Sequence, residues 1–166
     1  MPTEIERKFL VQGEAWRAGA KGERYCQGYL SRGDGYAVAD RTVRVRVAGM
    51  RAFLTIKGAS HGIARLEYEY EIPMADAEEM LSQLCDRPLI DKIRYKIPYQ
   101  DLLWEVDEFL GENQGLIMAE VELTTTDQVV ALPDWVGAEV SGDRRYFNAY
   151  LVDHPYSHWG DPPCPP

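Results

Sequence analysis

The sequence predicts a mainly β, α+β fold in which eight antiparallel strands close into a barrel with a charged interior. In most of the strand-like segments, charged residues occupy every second position and apolar residues lie between them. Because successive strand side chains point to opposite faces, each segment has one ionic and one apolar face. An open sheet would expose its edges and leave an apolar face that few helices could cover. A closed barrel with inward ionic faces has no exposed edges, and its outward apolar faces are expected to be covered by the few helices.

Each strand is predicted from this alternation. The third is typical, because Arg44 and Arg46 lie between three valines. A tight link at 49–50 makes the third and fourth strands meander neighbours. The eight predicted ranges are 3–11, 24–31, 40–48, 51–58, 64–73, 91–98, 101–109 and 116–124.

A few helices are predicted to pack outside the barrel, and the helical segments are 76–85, 126–132 and 143–152. Asp76 can cap the first of these, in which three apolar residues form a stripe. The sequence does not decide whether 143–152 closes one end of the barrel instead. Beyond residue 152 the sequence is rich in proline, which predicts a flexible tail. The expected organisation is therefore one domain at 1–152 followed by a tail at 153–166.

Composition excludes several classes of partner. The chain has 166 residues, a formal net charge of -9 and a pI near 4.8, which disfavours binding to nucleic acid or to an anionic membrane surface. Its three cysteines lack a paired-ligand spacing, so a reducing compartment is expected. The charged first residues are unlike a signal peptide, and no apolar run is long enough to span a membrane. These features predict a cytoplasmic protein with a local anion site.

The inward charges are grouped by sign. Basic positions concentrate in 40–48 and 91–98, and acidic positions in 64–73, 101–109 and 116–124. In an ordinary sheet such charges would form solvated cross-strand pairs worth about 0.2 to 1 kcal/mol each. Inside a barrel they must be paired or ligated, because burying an unpaired ion is costly. Arginine and lysine favour phosphate oxygens, whereas carboxylates favour Mg²⁺ or Mn²⁺. A polyphosphate with its metal ions satisfies both groups.

The chain resembles the CYTH superfamily, the triphosphate tunnel metalloenzymes. The resemblance is carried in order by EIERKFL, TVRVRV, LTIKG, RLEYEYEI, DKIRY, WEVDEF, AEVEL and GDRRYFN, and it extends to about Leu151. It implies an eight-stranded tunnel that binds a triphosphate with divalent cations. The short length and the DKIRY segment are most similar to small bacterial members that hydrolyse inorganic triphosphate to pyrophosphate and phosphate.

The resemblance also implies roles for individual residues. The expected triphosphate-binding bases are Lys8, Arg44, Arg46, Lys57, Lys92, Arg94, Arg144 and Arg145. The expected ligands of Mg²⁺ or Mn²⁺ are Glu4, Glu6, Glu67, Glu69, Asp107, Glu120 and Glu122. The catalytic candidates are Tyr29, Lys92 and Glu122. Tyr29 matches a proton acceptor of relatives, with a packing aromatic or a phosphate hydrogen-bond donor as the alternative.

Two other functions are compatible with the same tunnel. One is a different reaction, by an adenylyl cyclase or by a nucleoside or thiamine triphosphatase, which needs a further pocket at the tunnel mouth. The other is a noncatalytic module that binds polyphosphate. A small-molecule triphosphate is the expected partner in the favoured interpretation, and a homodimer is compatible with it.

Overall fold

The computed structural model describes residues 2–32 and 41–160, in which nine strands form one antiparallel sheet. The strands are β1 (Thr3–Val11), β2 (Gly22–Ser31), β3 (Thr42–Ala48), β4 (Arg51–Lys57), β5 (Ala64–Ile72), β6 (Ile90–Tyr99), β7 (Leu102–Phe109), β8 (Ile117–Glu122) and β9 (Val136–Glu139). The helices are α1 (Met74–Gln83) and α2 (Asn148–Asp153), with short 3₁₀ turns at Ala15–Arg17, Gly111–Asn113, Arg144–Tyr146 and Tyr156–His158.

Eight of these strands close into the predicted barrel, in the order β5-β4-β3-β2-β6-β7-β8-β1. Closure occurs because β1 pairs at its start with β5, where Thr3 faces Leu66, and further along with β8, where Glu6 faces Glu122. The short strand β9 then pairs with the end of β1, where Val11 faces Val136. Sharing β1 in this way removes the exposed edges of an open sheet.

The apolar faces point outward and form the core. On one side, Trp104 and Val121 are buried with Trp16, which lies in the first 3₁₀ turn. On another side, Ala77 and Leu81 of α1 pack against the outer face of β3 and β4. The barrel therefore has most of its hydrophobic core outside the strands, which leaves most of the interior to the charged side chains.

Helix α2 covers one end of the barrel, a placement that the sequence left open. Its residues Leu151 and Val152 are buried against Ile90, Phe109 and Met118, which share the inward face of their strands with the charged positions. The charged lining therefore gives way to an apolar layer at one end of the barrel, and α2 covers that layer.

The predicted helices differ from the observed ones in several ways. Helix α1 begins at Met74, directly after Pro73, so Asp76 lies in its first turn and is not the cap. The segment predicted as a helix at 143–152 is divided by the extended residue Phe147 into a 3₁₀ turn and α2.

No helix forms at 126–132, so this prediction is wrong. The segment is short, rich in β-branched residues and followed by Pro133, which together disfavour helix nucleation. Instead, the backbone nitrogen and hydroxyl of Thr124 donate to Gln128 Oε1 at 2.8 and 3.0 Å, and Val130 packs on the Trp104 side of the core. The chain then forms β9, which the sequence analysis missed.

The described part of the predicted tail packs on the barrel end. Trp159 contacts the rings of Tyr146 and Tyr156, with centroids 5.2 Å apart in each case. Its indole nitrogen donates to His154 O at 2.9 Å. Residues 161–166 of the tail, and position 40 of the third predicted strand, lie outside the described residues. Among residues 2–32 and 41–160, no helix is long and apolar enough to cross a membrane.

Candidate active site

The barrel encloses a cavity of about 1230 Å³ that is lined by the inward charged positions. All of the predicted site residues line it except Asp107. They are Glu4, Glu6, Lys8, Tyr29, Arg44, Arg46, Lys57, Glu67, Glu69, Lys92, Arg94, Glu120, Glu122, Arg144 and Arg145. Strand alternation places all of these except Arg144 and Arg145, because the intervening strand residues point to the outer core. Arg144 and Arg145 lie instead in the third 3₁₀ turn.

Lys92 and Arg94 of β6 are held by Asp107 of β7, which lies behind them. Lys92 Nζ donates to Asp107 Oδ2 at 2.8 Å, while Arg94 Nε and Nη2 donate to Oδ1 and Oδ2 at 2.7 and 2.8 Å. Burial alone would raise the pKa of Asp107, but Arg94 and Lys92 hold it below its usual value. Asp107 is 1% exposed, and both of its carboxylate oxygens accept hydrogen bonds from Lys92 or Arg94. This arrangement differs from the metal-binding role expected for Asp107.

Burial also affects the lysines of the lining. Burial lowers the pKa of Lys92 to about 7. Attraction to Asp107 raises this pKa, whereas repulsion from Arg94 and Arg46 lowers it further. Burial likewise lowers the pKa of Lys57, against the attraction of Glu4 and Glu6. A polyanion in the cavity would favour the charged forms of both lysines.

A buried threonine joins a predicted base to a predicted acid. Arg44 Nη2 donates to Thr55 Oγ1 at 3.2 Å, and Thr55 Oγ1 donates to Glu69 Oε2 at 2.9 Å. Thr55 has no exposed surface, and Arg44 Nε is buried with no hydrogen-bond partner in the described residues. An oxyanion in the cavity would satisfy this orphaned donor.

Lys57 and Lys8 contact the acidic residues of β1 and β8. Lys57 Nζ donates to Glu4 Oε2 at 2.9 Å and lies 3.7 Å from Glu67 Oε2. Lys8 Nζ donates to Tyr146 O at 3.1 Å and lies 3.5 Å from Glu120 Oε1. Burial alone would raise the pKa of Glu120, but Lys8 and the cations of β6 more than offset this, so its pKa is lowered.

Other carboxylates of the lining have too little positive charge around them to offset the effect of burial on their pKa. Burial raises the pKa of Glu6 to about 7, helped by the neighbouring Glu120 and Glu4. Burial also raises the pKa of Glu67 to about 7, and it raises that of Glu122 together with repulsion from Glu4. These groups surround the start of β1, where Glu4, Glu67, Glu69 and Glu122 line a smaller cavity of about 220 Å³.

This acidic end fits a divalent cation by its chemistry, since hard cations prefer carboxylate oxygens and would relieve the repulsion. The side chains are not assembled into a finished site: in the described ranges, no three or more His, Cys, Asp or Glu side chains are grouped to hold a metal ion. The reason is visible in the contacts, because Glu4 is bound to Lys57 and Glu69 to Thr55.

Two amide residues that the sequence analysis did not assign to the site lie between the bases. Gln27 Oε1 accepts from Arg46 Nε at 2.8 Å, and Gln27 Nε2 donates to Tyr29 Oη at 3.2 Å. Asn148 Oδ1 accepts from Lys92 Nζ at 3.0 Å. Gln27 had a signal, because it shares the inward face of Tyr29. Asn148 had none, since its position depends on where α2 packs.

The two arginines of the third 3₁₀ turn lie at the mouth of the cavity. Arg145 forms a close ion pair with Asp143, with Nη2 and Oδ2 2.6 Å apart, and the Arg145 side chain is 60% exposed. Its rim position separates it from the buried bases of β3 and β6.

Two curated relatives span almost the whole chain. An inorganic triphosphatase of Acetivibrio thermocellus is 51% identical over 159 residues, which are 96% of this chain and 99% of the relative. An inorganic triphosphatase of Nitrosomonas europaea is 36% identical over 158 residues, which are 90% of this chain and 97% of the relative. A crystal structure of an inorganic triphosphatase matches with a TM-score of 0.60 and 34% identity, covering 92% of this chain and 95% of that one.

The CYTH domain profile matches residues 2–147, a range that contains every predicted site residue from Glu4 to Arg145. The resemblance found in the sequence motifs is therefore confirmed by the fold, by the relatives and by this match. The chain belongs to the CYTH domain family.

Proposed function

We propose that this protein hydrolyses inorganic triphosphate to pyrophosphate and phosphate inside the barrel, with the help of a divalent metal ion. The observation that carries the proposal is the lining of the cavity, where buried cations and carboxylates with raised pKa values face the same space. A small polyanion accompanied by metal ions matches both the cations and the carboxylates of this lining. The names of the two curated relatives support the same activity.

The bases bind and orient the triphosphate in this proposal. Arg44, Arg46 and Arg94 offer guanidinium groups, which can hold phosphate oxygens with two parallel hydrogen bonds. Lys8, Lys57 and Lys92 add ammonium groups that neutralise charge. Phosphoryl transfer depends mainly on such positioning and charge neutralisation, because the protein has little covalent chemistry to perform. Arg144 and Arg145 would contact the end of the substrate nearest the mouth.

Membership of the family implies a divalent metal, and we propose Mg²⁺ or Mn²⁺. Glu4, Glu6, Glu120 and Glu122 would hold it, with Glu67 and Glu69 beside them. When bound, such an ion supplies charge neutralisation at the phosphates and activation of water. Asp107 is better placed as the residue that orients Lys92 and Arg94.

Lys92, Glu122 and Tyr29 remain the proposed catalytic residues. Lys92 can donate a hydrogen bond from its ammonium group to a phosphate oxygen, and Glu122 can help to position the attacking water at the acidic end. Tyr29 Oη accepts a hydrogen bond from Gln27, which leaves its own proton to donate to a phosphate. This contact favours a donor role for Tyr29 over that of a proton acceptor.

A substrate panel tests the activity. Phosphate release is measured from tripolyphosphate, pyrophosphate, ATP and thiamine triphosphate, each with Mg²⁺ and with Mn²⁺. We expect rapid release from tripolyphosphate only, and Glu4→Gln or Glu122→Gln should abolish it. Faster formation of cyclic AMP or faster hydrolysis of another triphosphate would replace the proposed reaction. Binding of tripolyphosphate without turnover under any metal would indicate a noncatalytic module.

A cytoplasmic location and a homodimer are further parts of the proposal. The location is supported by Cys26 and Cys85, which are free thiols of the kind that a reducing compartment maintains. The homodimer is compatible with the proposed function, and light scattering of the purified chain tests it: a species of twice the chain mass indicates the homodimer, and one of the chain mass indicates a monomer.

A further inference from the structure

Two neutral amides link three groups of the cavity wall. Gln27 Oε1 accepts from Arg46 Nε at 2.8 Å, and Gln27 Nε2 donates to Tyr29 Oη at 3.2 Å and to Asn148 Oδ1 at 3.3 Å. Asn148 Oδ1 also accepts from Lys92 Nζ at 3.0 Å. A continuous hydrogen-bonded chain therefore runs from Arg46 on β3 through β2 and α2 to Lys92 on β6.

The orientation of both amides follows from their partners. Arginine and lysine nitrogens only donate, so the atoms that face Arg46 Nε and Lys92 Nζ must be amide oxygens. Gln27 then has both of its N–H groups directed at Tyr29 and Asn148. Because Gln27 has no exposed surface, water does not compete for these contacts.

These contacts decide which protons remain for a ligand. Gln27 occupies the Nε side of Arg46, which leaves the Nη nitrogens to face the cavity that Arg46 lines. In its charged form Lys92 has three N–H groups, of which Asp107 and Asn148 accept two. The third is left for an oxygen in the cavity. Holding long side chains in this way removes rotamer freedom before the ligand arrives.

The neutral charge of the amides matters as much as their shape. Glutamate and aspartate are close in shape to glutamine and asparagine and could accept from Arg46 and Lys92 equally well. They would also cancel the positive charge of those bases in a buried environment, where charge interactions are strong. Asp107 already supplies one carboxylate to this group. Amide acceptors fix the geometry without further loss of positive potential.

We propose that Gln27 and Asn148 are positioning residues, which hold Arg46, Lys92 and Tyr29 ready for the triphosphate while preserving the charge of the basic wall. This inference rests on the proposed function. It also gives α2 a direct part in the site, since Asn148 is the first residue of that helix. The acting groups remain Arg46, Lys92 and Tyr29, and the two amides act through them.

The test compares Gln27→Glu and Asn148→Asp with wild type, using the full chain, tripolyphosphate and Mg²⁺. The added charge should raise KM by roughly tenfold or more, with a smaller change in kcat. The midpoint of thermal unfolding should stay within a few degrees. Gln83→Glu is the matched control, because it adds the same charge at an exposed position near the end of α1, and its KM should equal that of wild type.

Two uncharged variants separate charge from orientation. Gln27→Met and Asn148→Ala remove the acceptors without adding charge, and they should lower kcat while raising KM less than the acidic variants do. If Gln27 and Asn148 only stabilised the fold, all four variants would have a lower unfolding midpoint, and the protein that stays folded would have the KM of wild type. That pattern, or KM within twofold of wild type for both acidic variants, would overturn the proposal.

If one of the two acidic variants fails to fold, the other is tested by calorimetric binding of tripolyphosphate without metal. We expect this folded variant to bind tripolyphosphate more weakly than wild type does. Equal affinity would overturn the proposal. The proposed function is judged separately on the wild-type protein. If wild type fails to hydrolyse tripolyphosphate, the function is wrong; if wild type is active and the variants match it, only the role of the amides is wrong.

Discussion

At the scale of single residues, the position of a charge in the barrel decides what it can do. Arg44 is 7% exposed, with its Nη2 on Thr55 and its Nε without a partner in the described part of the chain. Arg51, on the next strand, is exposed and paired with Glu71 outside the cavity lining. The two arginines have the same chemistry and opposite surroundings, so they provide a matched comparison.

Arg44→Ala should raise KM for tripolyphosphate by roughly 10- to 100-fold, because a hydrogen bond to a charged group contributes about 1.5 to 3 kcal/mol. The change in kcat should be smaller, since the lost contact already forms in the bound ground state. Steady-state phosphate release provides the measurement. Arg51→Ala is the control and should leave KM unchanged. Equal effects of the two substitutions would contradict the assignment of Arg44 to the site.

Asp107→Asn tests whether this carboxylate supports the bases or the metal. Removing its charge leaves Lys92 and Arg94 buried beside a neutral group, so we expect a loss of about 3 to 5 kcal/mol in the free energy of unfolding. Denaturant unfolding followed by fluorescence measures it. The affinity for Mn²⁺, measured by calorimetry on the folded variant, should stay close to wild type. A large loss of metal affinity with unchanged stability would return Asp107 to the metal ligands.

At the scale of elements, segments outside the barrel strands cover its apolar outer faces and its end. The first 3₁₀ turn places Trp16 against Tyr95, with ring centroids 5.0 Å apart. Arg17 of the same turn forms an ion pair with Glu108 on β7, with Nη2 and Oε2 separated by 2.6 Å. Helix α2 covers the opposite kind of surface, the apolar layer inside one barrel end. These attachments depend on side chains rather than on strand pairing.

The Arg17 attachment should depend on pH. The hydrogen bonds from Arg17 lower the pKa of Glu108 in the folded protein. A carboxylate with a lowered folded pKa adds stability that is present above its unfolded pKa, about 4.3, and is lost as the pH falls through the folded value. Glu108→Gln should therefore reduce the free energy of unfolding by about 0.5 to 1 kcal/mol at pH 7. The difference from wild type should shrink below about pH 4.

Thermal unfolding of both proteins between pH 3 and pH 7 measures this effect. Glu112→Gln, at an exposed position in the second 3₁₀ turn, is the control and should show no such trend. A difference between Glu108→Gln and wild type that grows as the pH falls would contradict the ion-pair account.

The segment after α2 should contribute to stability, and we propose that the folded domain extends to residue 160. Trp159 is partly buried against Tyr146 and Tyr156. Trp159→Ala should lower the free energy of unfolding by about 1 to 2 kcal/mol, because it exposes part of this apolar cluster. Chemical denaturation measures the change, with the 93% exposed Val129 replaced by alanine as the control. No difference between the two variants would favour a domain that ends at residue 152.

At the scale of the whole molecule, a chain of net charge -9 can bind a polyanion because its basic residues are concentrated in one enclosed space. Closure of the barrel brings this about. It places β3 and β6, which carry Arg44, Arg46, Lys92 and Arg94, on the same lining as the acidic residues of β1, β5 and β8. The net charge of the chain therefore disfavours nucleic acid and anionic membrane surfaces as partners. The basic residues gathered inside the barrel favour a small polyanion as the ligand.

Much of this arrangement could be predicted because strand alternation is a local signal. The inward placement of Lys8, Arg94 and Glu120 follows from their neighbours along the chain. The strand β9 lacked such a signal, since it has four residues and includes Gly137. The role of Asn148 depends on long-range packing of α2, and that of Asp107 on the register that pairs it with Arg94. Such features arise from tertiary contacts that a sequence pattern does not contain.

The most direct test of the account is a crystal structure of Glu122→Gln with tripolyphosphate and Mn²⁺. Loss of turnover in this variant should preserve the substrate, and the anomalous signal of manganese locates the metal. We expect phosphate oxygens within hydrogen-bond distance of Arg44, Lys92 and Arg94, and an anomalous peak beside Glu4 and Glu6. A triphosphate on the outer surface, or manganese away from the start of β1, would contradict the account.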